Sequence, residues 1–261
     1  MVAIPFANIG GVGTMEGNFD LNKNLKGQFV GVDDPELKAN ADRIQIWDPT
    51  LGTSGGYPAA SQFFYLDWND PEWVDWNGWY NGYDQFGVDI FTDGLPAGTG
   101  FWMIKKDGTD NGITLSGQIP EAASVTRYAY KGRYNMLSDP YPIRLMVNDK
   151  TQVEWNNVKG VDDPELKANA DRIQIWDPEL GTSGGYPAAK QLFYLDWGDP
   201  EWIDWNGWYN GYDMAGDPET TLFVDGFEVG QTFWYIAAGT YSTTDKVESI
   251  FKNPTKTVPA E

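Results

Sequence analysis

Two stretches of this chain combine the side chains that recognise sugars, cations and protein surfaces. Asp67–Asp84 reads DWNDPEWVDWNGWYNGYD, and Asp196–Asp213 reads DWGDPEWIDWNGWYNGYD. Aromatic faces accept the polarised C–H bonds of a sugar ring, while carboxylates and Asn amides bind hydroxyls. Trp and Tyr also dominate protein–protein hot spots. The candidates for ligand or partner contact are therefore Trp73, Trp76, Trp79, Tyr80 and Tyr83, with Trp202, Trp205, Trp208, Tyr209 and Tyr212 in the second stretch. The plain alternative is that these rings fill a core. Carboxylates interleaved among them argue against complete burial, because an unpaired charge is costly to desolvate.

Within the same stretches the spacing Asp75, Asn77, Asn81, Asp84 recurs as Asp204, Asn206, Asn210, Asp213. Oxygen donors on Gly-permitted turns could hold a hard cation such as Ca²⁺. The pattern lacks the bidentate Glu that closes an EF-hand loop, and two Asn-Gly turns with solvated aspartates would read the same way. No organic cofactor is expected, since Gly10-Gly11-Val12-Gly13 precedes neither a Lys nor a helix of the kind a phosphate loop requires.

Other chemistry is excluded by composition. The chain has no Cys and no His, so disulfides, thiolate or Ser-His-Asp nucleophiles and Cys/His zinc sites are out of reach. With 18 Lys plus Arg against 38 Asp plus Glu, the net charge is −20. That field repels nucleic-acid phosphates and anionic membranes. No apolar run is long enough to span a bilayer. A glycosidase-type carboxylate pair is formally available but arises by chance in so acidic a chain, which leaves a non-enzymatic reading in front.

What must position these residues is a repeat. GVDDPELKANADRIQIWDP at Gly31–Pro49 returns unchanged at Gly160–Pro178, an offset of 129. From Gly31 to Gly87 only seven positions differ from Gly160–Gly216: Thr50/Glu179, Ser61/Lys190, Phe63/Leu192, Asn69/Gly198, Val74/Ile203, Gln85/Met214 and Phe86/Ala215. Three extra residues then enter the second copy, so that Ile90–Ile104 aligns with Leu222–Ile236. The chain reads as copy 1 over 1–119, a linker over 120–126 and copy 2 over 127–261. Asp34 and Pro35 suit the N-cap and first position of a short helix to Asn40. Arg43–Trp47 alternates as a half-buried strand does, and Gln62–Trp68, Val88–Thr92, Gly100–Lys105 and Ile113–Ile119 are further strand candidates. The expected fold is mainly all-β: tandem duplicated antiparallel β-sandwich or small-barrel domains with a short helix in each.

YNMLSDPYP (Tyr134–Pro142), VEWNNV (Val153–Val158), ADRIQIWDP (Ala170–Pro178), Tyr186 and GQTFWYI (Gly230–Ile236) occur in an order that resembles uncharacterised β-rich modules of bacterial secreted and surface proteins. Those modules run as GWNLIGNPYP, then DW, IYIWD and GQxFFV. Ala97–Ile119 resembles the end of the same module, and copy 1 lacks a clear NPYP element. The resemblance implies an exported β-sandwich, extracellular or on the cell surface, and implies no catalysis. No signal sequence is visible in the chain.

Three functions are expected from these readings. The first is a structural protein whose repeated domains self-assemble into a filament, sheath or surface layer, its partners being copies of itself and Val2–Val30 adding a strand to a neighbour. The second is a bivalent carbohydrate-binding protein using Trp/Tyr-Asp platforms. A glycoside-active enzyme is the third.

Overall fold

The computed structural model describes residues 2–3, 18–25, 28–50, 53–54, 57–58, 60–82, 90–92, 94–106, 113–115, 119–176, 182–183, 186–187, 189–211 and 222–256. Its principal strands are β1 (Val2–Ala3), β2 (Arg43–Trp47), β3 (Ala60–Leu66), β4 (Gly78–Asn81), β5 (Gly100–Ile104), β6 (Ser124–Tyr130), β7 (Tyr134–Ser138), β8 (Val153–Asn156), β9 (Arg172–Trp176), β10 (Ala189–Leu195), β11 (Gly207–Asn210), β12 (Thr232–Ile236) and β13 (Lys246–Lys252). They form three antiparallel sheets, in the orders β1-β5-β2-β3-β4, β7-β12-β9-β10-β11 and β6-β13-β8. The mainly β expectation holds.

The two five-stranded sheets are built alike. Arg43 pairs with Phe64 and Arg172 with Phe193, both shifted by the repeat offset of 129. Gln45 pairs with Trp102 and Gln174 with Trp234, the later strand displaced by the three extra residues that precede it. Alternation sends one set of side chains inward. Ile44, Phe63, Tyr65, Trp79 and Phe101 fill the first core, and Ile173, Leu192, Trp208, Phe233 and Tyr235 occupy the second.

What covers those inner faces differs. In copy 2 the three-stranded sheet closes a sandwich with Ala129, Val153, Val247 and Phe251. In copy 1 the described cover is Phe19, Leu21, Leu25 and Phe29 around the one-turn helix α1 (Leu21–Asn24). Residues 120–126 are not a free linker. Ser124–Thr126 open β6, and the carbonyls of Pro120 and Ala122 accept from the Asn253 amide.

The short helices at Pro35–Asn40 and Pro164–Asn169 are 3-10, with Asp34 and Asp163 capping the N–H of Glu36 and Glu165 at 2.8 Å. β3 and β5 end at Leu66 and Ile104, one or two residues short of the expected limits. Ile113–Leu115 is not a strand. Ile90 makes a single bridge to Tyr80, and residues 88–89 of that candidate lie outside the described residues. Val2–Ala3 pairs with Gly100–Phe101 of the same chain.

The outer sheet faces bring the copies together. Trp47 meets Trp234 edge-on at 5.6 Å, and Trp102 meets Trp176 edge-on at 6.2 Å. Trp47 and Trp176 are repeat equivalents, as are Trp102 and Trp234, so each copy offers the other the same patch. That is the geometry of an isologous dimer contained within one chain. Gly100 lies against its own equivalent, Thr232, where the axis passes.

Candidate functional site

The acid-and-indole stretch forms a tip between β3 and β4, and its counterpart lies between β10 and β11. Asp70 accepts from the N–H of Glu72 at 2.9 Å, and Pro71 follows it in the position where a missing N–H costs nothing. In copy 2 the same Asp-Pro-Glu signal starts a 3-10 helix over Pro200–Trp205; in copy 1 the helical turn spans Val74–Trp76. The expectation of one short helix in each copy leaves out this second one, although Asp34-Pro35-Glu36 carries the identical signal.

The tip is closed by its own hydrogen bonds. The Asn77 carbonyl oxygen accepts from the Trp68 N–H at 2.9 Å, and its amide donates to Asp67 at 2.7 Å. Asn206 does the same with Trp197 and Asp196 at 2.8 Å each. Asn69 has φ of +53° and Gly198 of +65°, which explains why these two residue types exchange at this position. The Tyr80 and Tyr209 hydroxyls donate to the Trp76 and Trp205 carbonyls at 2.7 and 2.6 Å, tying the tip to the sheet.

These bonds sort the aromatic candidates. Trp79, Tyr80, Trp208 and Tyr209 are core residues, at most 2% exposed, and so cannot reach a partner. They sit on strands whose alternation turns them inward, Trp79 and Trp208 under one face and Tyr80 and Tyr209 under small clusters on the other. Burial pushes both phenols up. By contrast Trp73 and Trp76 are 49% and 54% exposed, and Trp202 and Trp205 are 50% and 58% exposed. In copy 1 the rings of Trp68, Trp73 and Trp76 follow one another at 6.0 and 6.5 Å, tilted by 41° and 50°. The copy 2 run Trp197, Trp202, Trp205 repeats this at 6.2 and 6.4 Å. Tyr83 and Tyr212 lie outside the described residues.

The cation candidates are not gathered into a cage among the described residues. Among the described residues no three carboxylates converge on a point that could hold a metal ion. The Asn77 and Asn206 oxygens are already used by backbone N–H groups. Asp75 and Asp204 are exposed in the helical turn, and Asn81 and Asn210 stand at the far ends of β4 and β11. Asp84 and Asp213 lie outside the described residues. The first Asn-Gly pair of each stretch is not a hairpin turn, since Gly78 and Gly207 begin strands, while the second pair, Asn81-Gly82 and Asn210-Gly211, leads into residues outside those described.

Sequence reading also missed what docks the tip strand. Asn22 accepts from the Trp79 N–H and donates to the Phe91 carbonyl, both at 2.6 Å. Asn148 accepts from the Trp208 N–H at 2.8 Å and donates to the Phe223 carbonyl at 2.9 Å. The shared signal is faint: Leu21-Asn22 and Val147-Asn148, each a buried aliphatic before the Asn.

Among the described residues no helix is long and apolar enough to cross a membrane. No protein-family model, curated protein or solved structure matches the chain.

Proposed function

We infer that this is a non-enzymatic, extracellular binding protein whose two tips engage a neutral, hydroxyl-rich polysaccharide. The observation that supports it is the exposure of Trp73, Trp76, Trp202 and Trp205 on tips held rigid by the Asp67–Asn77 and Asp196–Asn206 bonds. Large exposed apolar groups mark contact surfaces, and pre-ordering them lowers the entropic cost of binding. Around the indoles stand Glu72, Asp75, Glu201 and Asp204, all exposed, which can accept from sugar hydroxyls. Two tips on one particle give avidity toward a repeating ligand. The extracellular setting rests on the motif resemblance.

Affinity electrophoresis on a polysaccharide panel tests this. Trp76→Ala with Trp205→Ala is expected to weaken retention by about tenfold to a hundredfold, the effect of removing hot-spot indoles. Retention that is absent throughout the panel, or unaltered in the variant, sinks the reading.

A second reading, self-assembly into a filament, sheath or surface layer, is favoured by the same two tips, because a chain with two like patches can link to two others. Facing carboxylates would oppose that contact unless a divalent cation such as Ca²⁺ bridged them. It predicts ordered polymers in electron micrographs that depend on Ca²⁺ and vanish in the double Trp variant. Monomers with and without Ca²⁺ eliminate it.

A further inference from the structure

Each sheet also carries, away from its tip, a recess walled by cations, in a chain of net charge −20. In copy 1 it lies beside the helix Pro35–Asn40, with Lys38, Arg43, Gln62, Phe64 and Gly82 in its walls and a volume of about 150 Å³. In copy 2 Lys167, Arg172, Gln191, Phe193 and Gly211 take the same places around about 130 Å³. Every one of these pairs is separated by 129, the repeat offset.

The charges in these walls are not cancelled. Lys38 donates to the Gly82 carbonyl at 2.6 Å and Lys167 to the Gly211 carbonyl at 3.1 Å. A carbonyl satisfies one N–H without neutralising the ammonium. The Nε–H groups of Arg43 and Arg172 are shut away from water with no acceptor. Among the described residues none of these four cations is ion-paired; the pairs formed there use Lys105, Lys131, Arg144 and Lys252. Leaving a buried donor unmade costs about 1–3 kcal/mol and more when it is charged. Cations left without a counter-charge at equivalent positions of the two recesses are what suit an anion supplied from solvent.

Copy 2 extends the site. Arg172 also lines a second recess of about 340 Å³, where Arg133 and Lys159 join it. Lys159 stands where copy 1 has Val30. The Arg133 guanidinium is held over the Tyr241 ring at 4.1 Å, and its Nε–H too lacks an acceptor. Asp171, the nearest carboxylate along the strand, has its oxygens taken by the N–H groups of Lys159 and Ala238 and by the Tyr235 hydroxyl. Small-molecule sites occupy about 300–1,000 Å³. The larger recess reaches that range, whereas the smaller pair has room for one functional group.

We propose that Arg172, with Arg133, Lys159 and Lys167, forms a binding site for a small organic anion through its carboxylate or sulfate group, and that Arg43 with Lys38 is a weaker counterpart. Planar guanidinium groups fit the paired oxygens of both anions. At physiological salt the screening length is about 8 Å, which damps repulsion from carboxylates farther away. The site is independent of the indole tips.

Titrating the full-length protein at constant ionic strength, while following the Arg Nε–H signals by ¹⁵N–¹H NMR, tests it. The probes are sodium glucuronate, sodium sulfate and, as the neutral control, glucose. Signals assigned to Arg172 and Arg133 by single substitution are expected to shift and saturate, with Arg43 responding only at higher concentration. Arg172→Gln should weaken binding about ten- to a hundredfold, and Arg172→Lys, which keeps the charge but loses the fork, less. Response to glucuronate alone supports the site as one for carboxylates, response to sulfate alone as one for tetrahedral anions, and response to both as a general oxyanion site. Absence of any shift, an equal response to glucose, or saturation that survives in folded Arg172→Gln and Arg172→Lys proteins overturns the proposal.

Discussion

The two copies bury the same carboxylate and neutralise it differently. Asp42 and Asp171 are both fully buried, and each accepts from the backbone of the segment before the repeat, Val30 in one copy and Lys159 in the other. In copy 1 the Lys105 ammonium reaches Asp42 at 2.8 Å. Copy 2 has Ala237 in that place, and the Tyr235 hydroxyl donates to Asp171 at 2.8 Å instead. Tyr235 in turn corresponds to Met103. A direct salt bridge has been exchanged for a neutral donor across two positions that lie two residues apart in the chain, with the Lys131 ammonium acting on Asp171 at longer range. Burial holds the Asp171 carboxyl above its ordinary value, with the N–H groups of Lys159 and Ala238, the Tyr235 hydroxyl and the Lys131 ammonium pulling it back. The shared segment thus dictates that an acid goes inside, and the diverged strand decides how its charge is met.

The largest expected effect breaks this comparison at the ion pair. Lys105→Met leaves a buried, unpaired carboxylate and should cost about 3–5 kcal/mol in urea unfolding. Tyr235→Phe removes one hydrogen bond and should cost about 1–3 kcal/mol. Equal losses would show that the two solutions are energetically the same. Adding Met103→Tyr to Lys105→Ala should recover part of the copy 1 loss by installing the copy 2 arrangement.

A middle effect belongs to copy 2. Burial pushes the Asp139 carboxyl up to about 7, against the Tyr141 N–H that lowers it. A carboxyl that resists ionisation in the folded state adds stability below its ordinary value of 3.8 and surrenders it as pH rises through about 7. The thermal midpoint should fall over that interval, and Asp139→Asn should flatten the fall. A slope that persists in the variant assigns it to other groups. The smallest effect is on the tips: Trp76→Ala and Trp205→Ala should each alter stability by about 0.5 kcal/mol or less, since surface substitutions rarely do more. A larger loss would mean that the indoles hold the fold together.

Legibility in the sequence followed the range of the physics. Strand Arg43–Trp47 and the cap at Asp34 are local, set by alternation and by a single side-chain oxygen, and were found at the right residues. Helical turns at Val74–Trp76 and Pro200–Trp205 are equally local and carry the same Asp-Pro-Glu signal, but it sits in a run of aromatics whose own propensity is for strand. Which indoles face water could not be read, because Trp76 and Trp79 are three residues apart and only the change from turn to strand separates them. Asn22 and Asn148 were hidden for another reason: their acceptors and donors lie 57 to 75 residues distant, beyond any local pattern. The cation recess had no signal at all until Lys38 and Arg43 met Gly82 in space.

Gly100 against Thr232 carries a consequence for pairing between molecules. A methyl-bearing residue in place of Gly100 would collide with the Thr232 side chain, so two second halves brought face to face would each present a threonine to the same small space. The chain is thereby keyed: a first half accepts a second half, while second halves exclude one another. A Gly100→Thr substitution would force the two halves of the chain apart at this point.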